Sequence, residues 1–291
     1  MATLYTQQDK NVRRTWLLMT TFLVMIVAIG FVFSQAYGNP NILYGFFIFA
    51  LFMNFFAYWN SAKIALRVSG AKLAGEAEYP ELHRLVENLA ITAGLPKPPI
   101  YVINDPAPNA FATGRNKNHA AIAFTTGILE ILDRTELEGV AAHELSHVGN
   151  KDILVSTVAV VLAGFISLIA DIFLRSHLFG GGRDSDSKSG NVLMIIGIVL
   201  AILAPIFATL IQLAISRKRE YLADASGALL TRYPEGLASA LQKISQYSRP
   251  MIHRHQATAH LFIANPFGSK IKGLFATHPP VEARIKALLG K

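Results

Sequence analysis

Apolar residues dominate four stretches of this chain, approximately 15–36, 41–59, 153–174 and 192–215. Each comes close to or exceeds the roughly 20 residues a helix needs to cross a bilayer. The first two are the cleanest. The third carries Ser156, Thr157 and a late Asp171, and the fourth carries Pro205. Both should therefore pack against protein on at least one side, where such groups find partners. The stretches divide the chain into an anchor (1–59), a polar piece (60–152), an apolar hairpin (153–215) and a second polar piece (216–291), the two polar pieces forming one domain.

Within the polar pieces the pattern predicts a helix from Pro80 to about Ala93, ended by Gly94 and Pro96. Ile100 to Ile103 reads as a short strand, and Ala120, Ile122 and Phe124 mark a second that ends at Thr125-Thr126-Gly127. A short helix near Ile128–Leu132 precedes a longer one, for which Thr135 and Glu138 are spaced as a capping box. Residues 234–247 and 281–290 look helical, with an irregular, proline-containing stretch between them. The expected class is α+β and mostly helical: four transmembrane helices carrying a domain with a small sheet.

Composition agrees with a membrane protein. The 291 residues are 52% hydrophobic and 16% charged, at a mean hydropathy of +0.37. Ten basic residues (Lys10, Arg13, Arg14, Lys63, Arg67, Lys72, Lys151, Arg217, Lys218, Arg219) flank one set of span ends, against three (Arg175, Arg183, Lys188) on the other. That asymmetry places both termini and the polar domain in the cytoplasm, and the Gly180-Gly181-Gly182 loop outside it. The net charge of +8 needs no nucleic acid, because basic residues facing anionic lipid account for it. The first apolar run is too long for a signal-peptide core, so an uncleaved anchor is expected. Cysteine is absent, which excludes disulfides and leaves His and carboxylates as metal ligands.

Such ligands occur together in His143-Glu144-Leu145-Ser146-His147. Histidines at i and i+4 leave the same face of a helix, close enough to share one metal ion. The glutamate between them is turned about 100° away, where it meets a water beside the metal rather than the metal itself. Catalytic zinc usually takes three protein ligands. Glu220 and Asp224, four residues apart on a predicted second helix, offer one carboxylate for the metal and one to orient a ligand histidine.

These motifs, in order with Asn109-Ala110-Phe111-Ala112-Thr113-Gly114, Thr125-Thr126-Gly127 and Thr277-His278-Pro279-Pro280, resemble the membrane-bound zinc metalloproteases of the HtpX family. That family is related to the CAAX prenyl endoproteases within the gluzincin group. The resemblance covers nearly the whole chain. It implies a zincin-like cytoplasmic domain on four spans in a bacterial inner membrane, cutting misfolded or damaged membrane proteins and unfolded proteins. It implies one zinc ion on His143, His147 and Glu220, Glu144 as general base, Asp224 behind a histidine and His278 at the oxyanion, with Arg284 assisting. Asn109 and the strand at Ala120–Phe124 are expected to border a cleft where substrate adds as a strand. His253, His255 and His260 suggest surface or packing roles. Since His147 and Glu220 each lie five or six residues from an apolar run, the metal should sit just above the membrane surface. A CAAX-type processing protease and a non-catalytic membrane adaptor are the alternatives. Nothing in the sequence indicates an oligomeric state.

Overall fold

The structure, a computed structural model, describes residues 4–179, 217–255, 258–268 and 278–290. The expected loop at Gly180–Gly182 and the expected span 192–215 lie outside the described residues.

Two long helices open the chain, α1 (Leu4–Tyr37) and α2 (Asn41–Val68), and pack against each other. Their segments Gln8–Gln35 and Asn41–Val68 are each long and apolar enough to cross a membrane. On α2, Tyr44, Ile48, Phe52, Phe55 and Trp59 face outward at helical spacing, as Trp16, Leu17, Val24 and Phe31 do on α1. So much exposed aromatic and aliphatic surface suits lipid rather than water. The inner faces, including Leu18, Phe22, Met25, Met53 and Ala57, close on Leu154, Val158, Leu162 and Ile166 of a third long helix, α6 (Asp152–Phe179). The expected span 153–174 lies within α6, which follows its predecessor across a sharp bend of 82°. Among the described residues, α1 and α2 alone qualify as spans by themselves, and α6 does so as part of that bent pair.

A four-stranded mixed sheet covers the inner side of the polar domain. It comprises β1 (Ala71–Leu73), β2 (Ile100–Ile103), β3 (Ala110–Gly114) and β4 (Ala120–Thr125) in the order β1-β2-β4-β3. β2 and β4 run parallel, and the two outer pairs are antiparallel. The expected strands at 100–103 and 120–124 are present. β3 was not anticipated, because its Ala-Phe-Ala-Thr-Gly sequence has little strand preference. Its presence corrects the expected edge: β4, containing Ala120–Phe124, lies inside the sheet, and the edges are β3 beside it and β1 on the far side.

Helices α3 (Pro80–Ala93) and α5 (Arg134–Gly149) pack with α7 (Arg217–Thr231), α8 (Pro234–Gln246) and α9 (Val281–Leu288), and α4 (Thr126–Ile131) lies against β4. The start of α5 also differs from expectation. Its N-cap is Asp133 and the capping-box partner is Glu136, so the Thr135/Glu138 pair is out of register by two residues. Both pairs fit the pattern. Glu136 prevails because its carboxylate also accepts hydrogen bonds from Ser239 at 2.6 Å and Lys243 at 2.7 Å on α8. The main core joins Leu85, Val86 and Leu89 to Ile122, Phe124, Val140, Leu145, Leu237 and Leu241. A further cluster unites Leu66 of α2, Ile103, Phe111, Val160 of α6 and Phe262, so the sheet and the apolar helices share a core.

Candidate metal centre

Close contact between α5 and α7 builds the site. A Cβ added at Gly227 would lie 3.0 Å from the backbone nitrogen of His143, so glycine lets the two backbones meet there. Glu220 and Asp224 precede Gly227 by seven and three residues, on the same helical face, and so point at the histidines. Asp224 Oδ1 lies 3.0 Å from His143 Nδ1. Glu220 Oε2 lies 3.8 Å from His143 Nε2, and Oε1 lies 3.7 Å from His147 Nε2.

His147 has a backing carboxylate too, Asp152 Oδ2, at 3.0 Å from its Nδ1. Each Nδ1 faces a carboxylate, so when the rings are neutral with the proton on Nδ1 both Nε2 atoms turn their lone pairs to the site. These two atoms are 3.2 Å apart, and they face the buried carboxylate of Glu220. Two unprotonated nitrogens at that distance repel one another unless a cation, a proton or a metal ion, lies between them. Two nitrogens on a tetrahedral zinc at ~2.05 Å would stand ~3.3 Å apart, so the donor set fits such an ion. Ligand atoms of His143, His147 and Glu220 all lie within 4.8 Å of one another.

The electrostatics agree. Burial works against a charge on His147, yet Asp152, Glu220 and Glu144 outweigh it and hold the ring's pKa up at about 9. Glu220 is also opposed by burial, but His278, His147 and Arg284 bring it down to about 2. Burial raises Glu144, partly countered by the two histidines and the backbone of Ala112. Four carboxylates (Glu144, Asp152, Glu220, Asp224) thus meet two guanidiniums (Arg219, Arg284), a balance that favours a divalent cation.

The remaining candidates divide. His278 lines the cleft, with Nδ1 3.6 Å from Glu220 Oε2 and Nε2 2.5 Å from the Phe262 carbonyl. Burial pushes it down to about 4, so the ring is neutral at neutral pH. Arg284 is completely buried and grips Asp224 through Nε at 2.9 Å and Nη2 at 2.6 Å, with Nη1 3.7 Å from Glu220. Asn109 is not brought to the cleft. Its side chain clamps the Ala264 backbone, donating to the carbonyl at 3.0 Å and accepting from the N–H at 3.1 Å. Sequence reasoning missed Asp152, Arg219 and the lining residue His260. A lone acidic residue opening an apolar run, five positions after the second histidine, was the available signal for Asp152.

Comparison with known proteins fits this geometry. A sequence model described as peptidase family M48 matches residues 76–291. A protease HtpX homolog of Caldanaerobacter subterraneus subsp. tengcongensis is 50% identical over 292 residues, covering 98% of this chain and 97% of its own. One from Pyrococcus furiosus is 50% identical over 278 residues, with 94% of each chain covered. The crystal structure of Ste24p from S. mikatae shares the fold at a TM-score of 0.52 and 18% identity, over 90% of this chain and 62% of that one.

Proposed function

Because this chain belongs to peptidase family M48 and is a membrane metalloprotease, we propose that it cuts misfolded or damaged membrane proteins, holding one zinc ion on His143, His147 and Glu220. The observation that carries this reading is the convergence of three donor side chains, His143 and Glu220 buried and His147 partly so, with a carboxylate facing the second ring nitrogen of each histidine. Bound zinc would supply acidity for a water molecule and a positive centre for the scissile carbonyl. Glu144, raised by burial, is suited to take a proton as general base and return it to the leaving amine. Asp224 fixes the tautomer of His143, and Arg284 holds Asp224 in place. His278 is the candidate donor to the oxyanion, a role that requires its bond to the Phe262 carbonyl to be exchanged for one to substrate.

The edge of β3 offers a place for substrate backbone. Its Ala110 carbonyl accepts from Ile263 at 2.9 Å, and its Gly114 N–H donates to Thr157 at 3.3 Å. Ala112 lies between them and lines the cleft. Pairing confined to so short an edge reads few residues, which suits broad sequence tolerance. The bend at the start of α6 supports a site close to the membrane surface, within reach of juxtamembrane segments. The basic residues flanking the spans support a cytoplasmic active site, with four spans in a bacterial inner membrane.

The test is digestion of an unfolded protein by detergent-purified, zinc-loaded enzyme, with Glu144→Gln in parallel. The variant should retain zinc and lose about 10²–10⁴-fold in rate. Equal cutting by both would overturn the assignment of Glu144. Absence of zinc from the wild type would overturn the ligand set.

A further inference from the structure

One end of α1 reaches the metal centre. Gln8 Nε2 donates to the Gly149 carbonyl at 2.7 Å. One turn further on, Asn11 Nδ2 donates to the Asn150 carbonyl at 3.0 Å and to Asp152 Oδ1 at 2.6 Å. Asn11 is completely buried. Its amide orientation is determined by its neighbours, since both nearby groups are acceptors and only the NH₂ end can face them. Asp152 in turn presents Oδ2 to His147 Nδ1, while Oδ1 also lies 3.5 Å from Arg219 Nη1 on α7. The chain of contacts therefore runs from α1, through one carboxylate, to a histidine of the site.

Helix packing alone does not account for this amide. If packing were its role, a side chain this deeply buried would be replaced at lower cost by an apolar one, since Asn11 Oδ1 has no hydrogen-bond partner. What the amide does is occupy one oxygen of Asp152, leaving the other aimed at His147. Free to rotate, the carboxylate would point at Arg219, and the histidine would lose the acceptor that fixes its tautomer and ring plane. Asn11 lies outside the matched segment 76–291, so the requirement belongs to the anchor and not to the peptidase segment itself.

We propose that Asn11 is a positioning residue of the metal centre, acting through Asp152 on His147, so that the first apolar helix is part of the site as well as an anchor. The inference rests on the reading of His147 as a metal ligand. Its test is zinc affinity, measured on full-length protein in detergent by competition with a chromophoric chelator. Asp152→Asn should weaken zinc about 10–100-fold, as loss of an outer partner does, and Asn11→Leu about 3–10-fold. The double variant should bind no more weakly than Asp152→Asn alone, because Asn11 acts only through that carboxylate. A merely structural role would instead lower the melting temperature of the metal-free protein and multiply with Asp152→Asn. If Asn11→Leu does not fold, Asn11→Ser carries the same prediction, its hydroxyl being too short to span both acceptors. Wild-type affinity in either folded Asn11 variant, or multiplying effects in the double variant, would overturn the proposal alone. A wild type that binds no zinc would overturn the ligand reading and the proposal together.

Discussion

Gly227→Ala should damage the metal centre while improving the helix that carries it. The new methyl would stand 3.0 Å from His143 N and 3.2 Å from His143 Cα and from the Ala142 carbonyl carbon. Comfortable contacts begin near ~3.5 Å, so α5 and α7 must separate by about 0.5 Å. Zinc sites tolerate only about 0.2 Å in ligand distance. Glu220 and Asp224 ride on α7, so a displacement of this size opens the ligand set. Alanine favours a helix over glycine by about 1 kcal/mol, against about 1–3 kcal/mol for overpacking. Net stability should fall by about 0–2 kcal/mol, the difference between these terms. The site should lose more: a misplacement of 1 Å can cost about 100-fold in rate, so 0.5 Å predicts about 10-fold or more, with weaker zinc binding. Gly149→Ala is the matched control, because nothing lies within 4 Å of its added methyl. The assays are zinc competition, hydrolysis of an unfolded protein, and thermal melting. A Gly227→Ala enzyme with wild-type zinc affinity and rate, or a Gly149→Ala enzyme equally impaired, would refute the reasoning.

Two further predictions concern stability. Glu136→Ala removes the capping bond to Asp133 N–H together with the Ser239 and Lys243 partners. Denaturant unfolding should show a loss of about 2–4 kcal/mol, whereas Lys243→Met, whose side chain is 42% exposed, should cost under about 1 kcal/mol; equal losses would contradict the assignment. Burial pushes His260 down to about 4, although the Ser156 carbonyl at 3.2 Å pulls the other way. Between pH 4 and 6.5 the unfolded chain therefore binds the extra proton. This contribution is complete above pH 6.5 and is lost as pH falls toward 4, amounting to about 2 kcal/mol between pH 6.5 and 5. Unfolding of His260→Gln across that range should show a slope lower by one such group, and an unchanged slope would exclude it.

Much of this architecture was legible in the sequence because the signals were local. Pro80 and Gly94 bracket α3 at the bounds expected, and the alternation around Ile122 marked β4. His143, Glu144 and His147 share one helical turn, so their relation needed no tertiary information. The spacing of Glu220 and Asp224 placed them on one face, but only the close approach at Gly227 shows which face they meet. β3 escaped detection because Ala110-Phe111-Ala112-Thr113-Gly114 is short, rich in alanine and ends in glycine, a composition with little strand preference. The N-cap was misread because Asp133/Glu136 and Thr135/Glu138 satisfy the same rule, and partners on α8 decide between them. Asp152 was missed because its relation to His147 crosses the end of one helix and the start of the next. Asn109 was expected at the cleft because it opens a motif of the family the sequence resembles, but its amide faces Ala264.

Arg284 approaches His143 across 141 residues of chain, and that separation has a consequence during synthesis. At ~5–20 residues per second a ribosome needs about 7–28 s to make the intervening segment. Throughout that interval both histidines exist, first without Glu220 and Asp224 and then without the arginine that holds Asp224. The proteolytic centre is therefore completed late, after the apolar helices on which it rests have been made.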